Sequence, residues 1–117
     1  MGKKIIVAGL FSVICSTAFA QDWKPLNAEG IVAALSERAL VYEDGARQTF
    51  RESGRTTYSV GAGDSQGSWR VEGDQYCSNW PPATTWSCYA FEWDAESGRL
   101  RFVSASGDVT VGTYVKE

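Results

Sequence analysis

Residues 68–93 read SWRVEGDQYCSNWPPATTWSCYAFEW, and this stretch decides the fold. Its runs of Trp, Val, Tyr, Phe and Cys are typical of short β-strands, whereas Gly-Asp at residues 73–74 and Pro-Pro-Ala-Thr at residues 81–84 are typical of turns. The pattern predicts consecutive antiparallel strands joined by tight connections. Cys77 and Cys88 then lie on two neighbouring strands. The third cysteine of the sequence, Cys15, falls in a predicted signal peptide described below, and the remaining even count in residues 21–117 predicts a disulfide.

A disulfide between Cys77 and Cys88 would set the register of this hairpin, because directly opposed residues of an antiparallel pair are close enough to be bridged. The register leaves PPAT as a four-residue loop and predicts these opposed pairs: Tyr76 with Tyr89, Ser78 with Ser87, Asn79 with Trp86, and Trp80 with Thr85. Closing so short a loop is expected to stabilise the domain by on the order of 3 kcal/mol.

The same register divides the side chains between two faces, since neighbouring residues of a strand point to opposite sides. The aromatic face is predicted to be the core, and it carries Tyr76, Trp80, Tyr89, Phe91 and Trp93. Trp69 alternates with Val71 on the preceding strand and is also expected to face the core. The other face carries the disulfide together with Asn79 and Trp86. Trp80 and Trp86 therefore point in opposite directions and are not expected to grip one ligand together.

Strand-like runs and turn residues alternate in the same way from Leu40 to the C-terminus, at a spacing of about ten residues. Upstream, Asn27 suits a helix N-cap, and Ile31 and Leu35 fall on one apolar stripe, so we expect a helix over residues 28–38. The predicted fold is α+β and mainly β. One N-terminal helix packs on a curved antiparallel meander sheet, or on a small open barrel, of about seven to eight strands.

Residues 1–20 have the three parts of a secretory signal peptide. Lys3 and Lys4 make a basic start, an apolar run follows, and Ala18-Phe19-Ala20 is a cleavage site of the A-x-A type. The apolar run is short for a membrane span, and charged residues follow it directly. Cleavage after Ala20 would leave residues 21–117 as one disulfide-bonded domain. We therefore expect a periplasmic or secreted protein without stable membrane insertion.

The charge and composition of residues 21–117 exclude several classes of function. This part of the chain has 9 basic and 14 acidic residues, a net charge of −5 at pH 7, and a nucleic-acid partner is disfavoured because phosphate binding needs clustered basic side chains. The sequence has no histidine, which removes His-based catalysis and His-ligated metals from consideration. With both cysteines oxidised, a thiolate site is not expected either. We predict no cofactor and no metal.

An aromatic side chain that the core does not need is the best candidate for contact with a partner. Trp86 and Trp23 are the two candidates. Trp86 is predicted to lie beside the disulfide on the more polar face, where a partner could cover it. The candidate binding surface comprises Trp86 with the neighbouring residues Asn79, Trp80, Pro81 and Pro82.

Glu92 and Asp94 form the candidate catalytic pair, since residues two apart share one face of a strand. Glycoside hydrolases use two carboxyl groups at a fixed separation. Acids at the end of a strand are also a common solvated edge, and this pair leads directly into a turn.

Several turn and core residues carry a resemblance to a known family. The run GSWRVEGDQYCSNW at residues 67–80, the second cysteine at residue 88 and the turn Asp44-Gly45 resemble small exported proteobacterial proteins grouped as a domain of unknown function. The matching positions are Gly67, Trp69, Val71, Gly73, Asp74, Cys77 and Cys88. The resemblance implies export and a disulfide-bonded β domain, and it implies no activity.

These observations favour an exported, non-enzymatic domain that binds a protein or an envelope glycan through Trp86 and the adjacent loop. Two alternatives stay open. A small-ligand carrier would need a lipocalin-like apolar cavity inside a barrel, and a hydrolase would need a pocket that contains Glu92 and Asp94.

Overall fold

The computed structural model describes residues 21–116, so the predicted signal peptide lies outside the described residues. This part of the chain forms one helix, α1, over Ala28–Leu35. The strands of the described chain are β1 (Lys24–Pro25), β2 (Arg38–Tyr42), β3 (Arg47–Phe50), β4 (Arg55–Val60), β5 (Gly63–Glu72), β6 (Gln75–Asn79), β7 (Ser87–Asp94), β8 (Arg99–Ser104) and β9 (Val109–Tyr114).

Strands β2 to β9 form a closed up-and-down barrel in which every pairing is antiparallel. The ring closes because β2 also pairs with β9. Strand β1 is an addition to this barrel: Lys24 and Pro25 pair with Trp93 and Glu92 of β7, just past the residues of β7 that pair with β6. The α+β, mainly β prediction is confirmed, and the barrel is closed rather than open.

Helix α1 begins where the sequence predicts. The side chain of Asn27 accepts a hydrogen bond from the backbone N–H of Gly30 at 2.9 Å. Asp74, in the turn between β5 and β6, accepts a second one from the backbone N–H of Ala28 at 2.9 Å. A helix start leaves its first amides without partners, and these two carboxamide and carboxylate oxygens satisfy two of them.

The predicted end of this helix at residue 38 is wrong, since α1 ends at Leu35. Ser36 has extended ψ, and Glu37 has a φ of 60°, so the chain leaves helical geometry at once. The backbone N–H of Glu37 donates to the carbonyl of Phe50 at 2.7 Å. As a result, β2 begins directly after the turn, and its first residue, Arg38, pairs with Phe50 of β3.

The core lies between α1 and the inner face of the barrel. Ile31 and Leu35 of α1 have no exposed surface and belong to the same cluster as the buried aromatic rings of the strands. Phe102 lies 4.7 Å from Phe91 and 5.0 Å from Tyr76, measured between ring centroids. Interlocked rings of this kind pack part of the small interior that eight strands enclose.

Two of the three tryptophans assigned to the core, Trp69 and Trp93, differ in outcome. Trp69 is buried, and its indole N–H donates to the backbone carbonyl of Arg51 at 2.8 Å, as a buried indole requires. Trp93 is 40 % exposed, so its assignment to the core is wrong. It lies near the end of β7, beyond the layer that Phe91 and Phe102 form.

Within residues 21–116, no helix is long and apolar enough to cross a membrane.

Candidate functional site

The hairpin β6–β7 has the predicted register. Cys77 and Cys88 form a disulfide with their Cα atoms 4.0 Å apart, and the flanking pairs are Tyr76 with Tyr89 and Ser78 with Ser87. The pairing ends there, so the predicted pairs of Asn79 with Trp86 and Trp80 with Thr85 do not form. Residues 80–86 are a longer loop than the four residues predicted.

The side chain of Asn79 organises this longer loop. Its Nδ2 donates to the carbonyl oxygens of Ala83 at 3.1 Å and Thr85 at 2.7 Å. Pro81 and Pro82 are both exposed in the same loop, and Pro81 also lines the cavity described below. Asn79 therefore has a structural role that accounts for both of its donor hydrogens.

Trp86 lies on the outer face, away from the barrel interior. The guanidinium carbon of Arg70 sits 3.8 Å from the centroid of the Trp86 ring, and Arg70 also pairs with Glu72. The Glu72 carboxylate lies within 4.8 Å of the sulfurs of Cys77 and Cys88. Because both sulfurs are in the disulfide, this group offers no thiolate to a metal. Arg70, Glu72 and Trp86 thus form a layer outside the disulfide.

A cavity of about 520 Å³ lies on the inner side of the same hairpin. Each of the eight barrel strands contributes at least one residue to its wall, so the cavity runs along the barrel axis. Its lining comprises Tyr42, Gln48, Tyr58, Ser65, Gln66, Tyr76, Ser78, Trp80, Pro81, Tyr89, Phe102 and Thr110. The volume lies in the range of about 300–1,000 Å³ that is usual for small-molecule sites.

Trp80 stands at the mouth of this cavity and is held there on three sides. Its indole N–H donates to Ser78 Oγ at 3.1 Å, and its ring meets that of Tyr58 edge-to-face at 6.1 Å. The ring also packs against Gly67 of β5, where a Cβ would come within 2.6 Å of it. Trp80 and Pro81 are therefore cavity residues, whereas Trp86 and Asn79 lie elsewhere.

A buried hydrogen-bond network forms one wall of the cavity around Gln48, which is 6 % exposed. The Tyr42 hydroxyl donates to Gln48 Oε1 at 2.6 Å. Gln48 Nε2 donates to Thr56 Oγ1 at 2.8 Å and to the Tyr76 hydroxyl oxygen at 3.1 Å. Thr56 in turn donates to the carbonyl of Thr49 at 2.7 Å. Both N–H groups and the oxygen of the Gln48 amide are thus hydrogen-bonded inside the barrel.

Three tyrosines of the cavity, Tyr42, Tyr58 and Tyr76, have a raised pKa and keep their hydroxyl protons at physiological pH. Burial raises the pKa of Tyr76 to about 12, although hydrogen bonds from Ser78 and Gln48 act in the opposite direction. Burial also raises the pKa of Tyr42 well above its ordinary value. For Tyr58, burial and the negative charge of Asp44 both raise the pKa. Among the described residues, the lining contains no Lys, Arg, Asp or Glu, so this cavity wall is polar in places but uncharged.

The two candidate catalytic carboxylates lie outside this cavity. Glu92 accepts from Arg101 Nε at 2.5 Å, and the Arg101 guanidinium also lies over the ring of Trp23 at 4.4 Å. Asp94 is buried and accepts from Ser97 Oγ at 2.7 Å within the turn between β7 and β8. Each carboxylate therefore has a structural partner.

Sequence reasoning missed the cavity wall contributed by β2, β3 and β4. One signal for it was available: Gln48 alternates with Phe50 in β3, so a polar amide falls on the apolar face. A buried amide needs partners, and inward tyrosines are the residues that can supply them.

Comparison with protein-family models, curated proteins and solved structures gives no match to this chain. The resemblance to exported proteobacterial proteins therefore stays a prediction. The fold and the site together define a small closed β-barrel with an axial, uncharged cavity.

Proposed function

We propose that the protein is a carrier that binds one small, largely apolar molecule inside the barrel. The observation that carries the proposal is the 520 Å³ axial cavity, to which all eight barrel strands contribute. Six of its twelve lining residues are aromatic, and aromatic walls bind apolar ligands with large contact area and little loss of side-chain entropy.

The topology supports ligand access at one end of the barrel. Cavity residues lie late in β2, β4 and β8 and early in β5, β7 and β9, and Ser78, Trp80 and Pro81 lie near or just after the end of β6. Most of the lining is therefore at the end of the barrel opposite the start of β2. Helix α1 precedes β2 and buries Ile31 and Leu35 in the core. The mouth is therefore the end that carries Trp80, Ser65 and Thr110, the last two of which are exposed.

We further propose that the carrier works outside the cytoplasm, in the periplasm or the medium. The Cys77–Cys88 disulfide supports this, because such bonds persist mainly in oxidising compartments. Binding of a protein or glycan partner through Trp86 stays a prediction. The stacking of Arg70 on Trp86 favours a structural role for this ring, since it covers part of the ring with the protein's own side chain.

The carrier proposal is tested with N-phenyl-1-naphthylamine, an uncharged probe that becomes fluorescent in apolar sites. Thr110 pairs with Phe102 and lines the cavity, so Thr110→Trp places an indole in the mouth. Thr113 lies on the same strand, β9, where it pairs with Val41 of β2. It is exposed and is not part of the cavity lining. Thr113→Trp is therefore a matched control.

We expect saturable fluorescence with the unmodified protein and with Thr113→Trp, and at least about tenfold weaker binding with Thr110→Trp, because the indole occupies contact area that the probe needs. A folded barrel that gives no saturable signal would overturn the proposal. Equal binding by the two tryptophan variants would also overturn it, since the probe would then sit outside the cavity.

A further inference from the structure

The hydrogen-bond directions in the cavity wall follow from one group that can only accept. The carbonyl oxygen of Thr49 has no proton, so Thr56 must donate its single hydroxyl proton in the 2.7 Å bond between them. Thr56 Oγ1 can then only accept from Gln48. This places the NH₂ end of the Gln48 amide toward Thr56 and its oxygen toward Tyr42.

The protons of the next two groups are assigned in the same way. Tyr42 donates its hydroxyl proton to Gln48 Oε1 at 2.6 Å. The second N–H of Gln48 goes to the hydroxyl oxygen of Tyr76 at 3.1 Å. Tyr76 is therefore an acceptor in this network, and its own hydroxyl proton is not used by Gln48.

Ser78, like Tyr76, has a hydroxyl proton that its hydrogen bond in this wall does not use. Its Oγ accepts from the indole N–H of Trp80, which can only donate, so the Ser78 proton is also left over. Ser78 and Tyr76 interact with each other, but a bond between the two hydroxyls uses only one of their two protons. At least one proton therefore has no acceptor among the described residues. Tyr76 is 3 % exposed and Ser78 is 4 % exposed, and both line the cavity.

We propose that the ligand is an uncharged molecule with a flat apolar body and an oxygen that accepts a hydrogen bond from the Tyr76–Ser78 pair. This inference rests on the carrier function proposed above. A buried donor without a partner is costly, so a ligand that supplies an acceptor binds more tightly than one of the same shape that does not. An anion is disfavoured because the lining residues within 21–116 include no cation to offset its desolvation.

Three naphthalenes of similar size separate these requirements. 2-Acetylnaphthalene is uncharged and carries a carbonyl acceptor, 2-ethylnaphthalene has the same body without the acceptor, and 2-naphthoate carries a negative charge. Affinities are measured at pH 7.5 by isothermal titration and by displacement of N-phenyl-1-naphthylamine. We expect 2-acetylnaphthalene to bind about fivefold more tightly than 2-ethylnaphthalene, and 2-naphthoate to bind least tightly.

A double variant assigns the preference to the two hydroxyls. Tyr76→Phe with Ser78→Ala removes both spare protons, and the preference for the acetyl compound is expected to fall to about one while 2-ethylnaphthalene still binds. Tyr114→Phe is the control, because the Tyr114 hydroxyl donates to the carbonyl of Ala34 outside the cavity. This control should keep the fivefold preference.

The outcomes distinguish this inference from the function on which it rests. Equal affinity of the unmodified protein for the acetyl and ethyl compounds would overturn the hydrogen-bond proposal while leaving the carrier function in place. Tightest binding of 2-naphthoate would overturn the uncharged class. No binding of any naphthalene would contradict the carrier function itself. The ranking with the unmodified protein decides between these outcomes even where the double variant fails to fold.

Discussion

The side-chain amide of Gln48 donates to the hydroxyl oxygen of Tyr76 at 3.1 Å, although the two residues are 28 positions apart in the chain. The bond joins β3 to β6, which are not neighbours in the sheet. It therefore ties two separate walls of the barrel together through its interior. The same amide binds Tyr42 and Thr56, so one side chain holds four strands in position.

Replacing this amide should destabilise the barrel strongly. Gln48→Leu keeps a similar volume but leaves the buried hydroxyl of Tyr42 without its acceptor and that of Tyr76 without its donor. Buried polar groups that lose their partners cost about 1–3 kcal/mol each, so we expect a loss of about 2–4 kcal/mol in the free energy of unfolding. Urea denaturation measures this loss.

Gln75→Leu is the matched control for that substitution. Gln75 is exposed on β6, and the same change there should alter the free energy of unfolding by no more than about 0.5 kcal/mol. Similar losses for the two variants would mean that the buried network does not stabilise the barrel.

The close contact between Gly67 and Trp80 predicts a coupled loss of stability and ligand affinity. A Cβ at Gly67 would lie 2.6 Å from the Trp80 ring and 2.6 Å from the carbonyl oxygen of Asn79. Gly67→Ala must therefore displace the indole from the cavity mouth, and overpacking of this kind costs about 1–3 kcal/mol. Binding of N-phenyl-1-naphthylamine should weaken as well. Gly63→Ala, also on β5, meets nothing closer than 3.7 Å and should change neither property.

The disulfide should contribute a large fraction of the stability of this small domain. Replacing both Cys77 and Cys88 by alanine is expected to lower the free energy of unfolding by on the order of 3 kcal/mol, because the unfolded chain regains the freedom of the closed loop. Thermal unfolding followed by circular dichroism checks this. Dithiothreitol should lower the Tm of the unmodified protein and leave that of the double variant unchanged. An unchanged Tm in the double variant would argue against a stabilising role.

The raised pKa of Tyr76 predicts a loss of stability at alkaline pH. Below pH 10 the hydroxyl is protonated in both the folded and the unfolded chain, so it adds no pH dependence. Above pH 10 the unfolded chain releases this proton while the folded chain holds it up to a pKa of about 12. Stability must then fall as the pH rises, by on the order of 2–3 kcal/mol over that window for this one group.

Urea titrations between pH 8 and pH 12 test this dependence. Tyr76→Phe should be less stable at neutral pH, because Gln48 loses an acceptor, and its stability should decline less steeply above pH 10. Equal slopes for Tyr76→Phe and the unmodified protein would show that Tyr76 does not hold its proton through folding.

Features set by local chemistry were predictable from the sequence. The register of β6 and β7 follows from the disulfide, because a bridge between Cys77 and Cys88 leaves one way to pair the flanking residues. The start of α1 follows from Asn27, whose side chain caps the helix. In both cases, residues a few positions apart carry the whole signal.

Features set by distant contacts were not predictable. The end of α1 depends on the bond from Glu37 to Phe50, which exists only once β2 and β3 have paired. Closure of the barrel depends on the pairing of β2 with β9. These strands are far apart in the chain, and no local sequence pattern indicates that they pair. The cavity is a consequence of closure. For this reason, the sequence predicts Trp86 as a binding residue, whereas Trp80 is the tryptophan that lines the cavity.

The indole N–H signals of a ¹⁵N-labelled sample give the most direct test of where a ligand binds, because Trp80 lines the cavity and Trp86 lies outside the barrel. N-phenyl-1-naphthylamine would be titrated into residues 21–117 and followed by two-dimensional NMR. Binding inside the barrel predicts a saturable shift of the Trp80 signal, with that of Trp86 unmoved. A saturable shift of the Trp86 signal with the Trp80 signal unmoved would contradict the cavity as the binding site. It would instead favour binding at the outer face that carries Trp86.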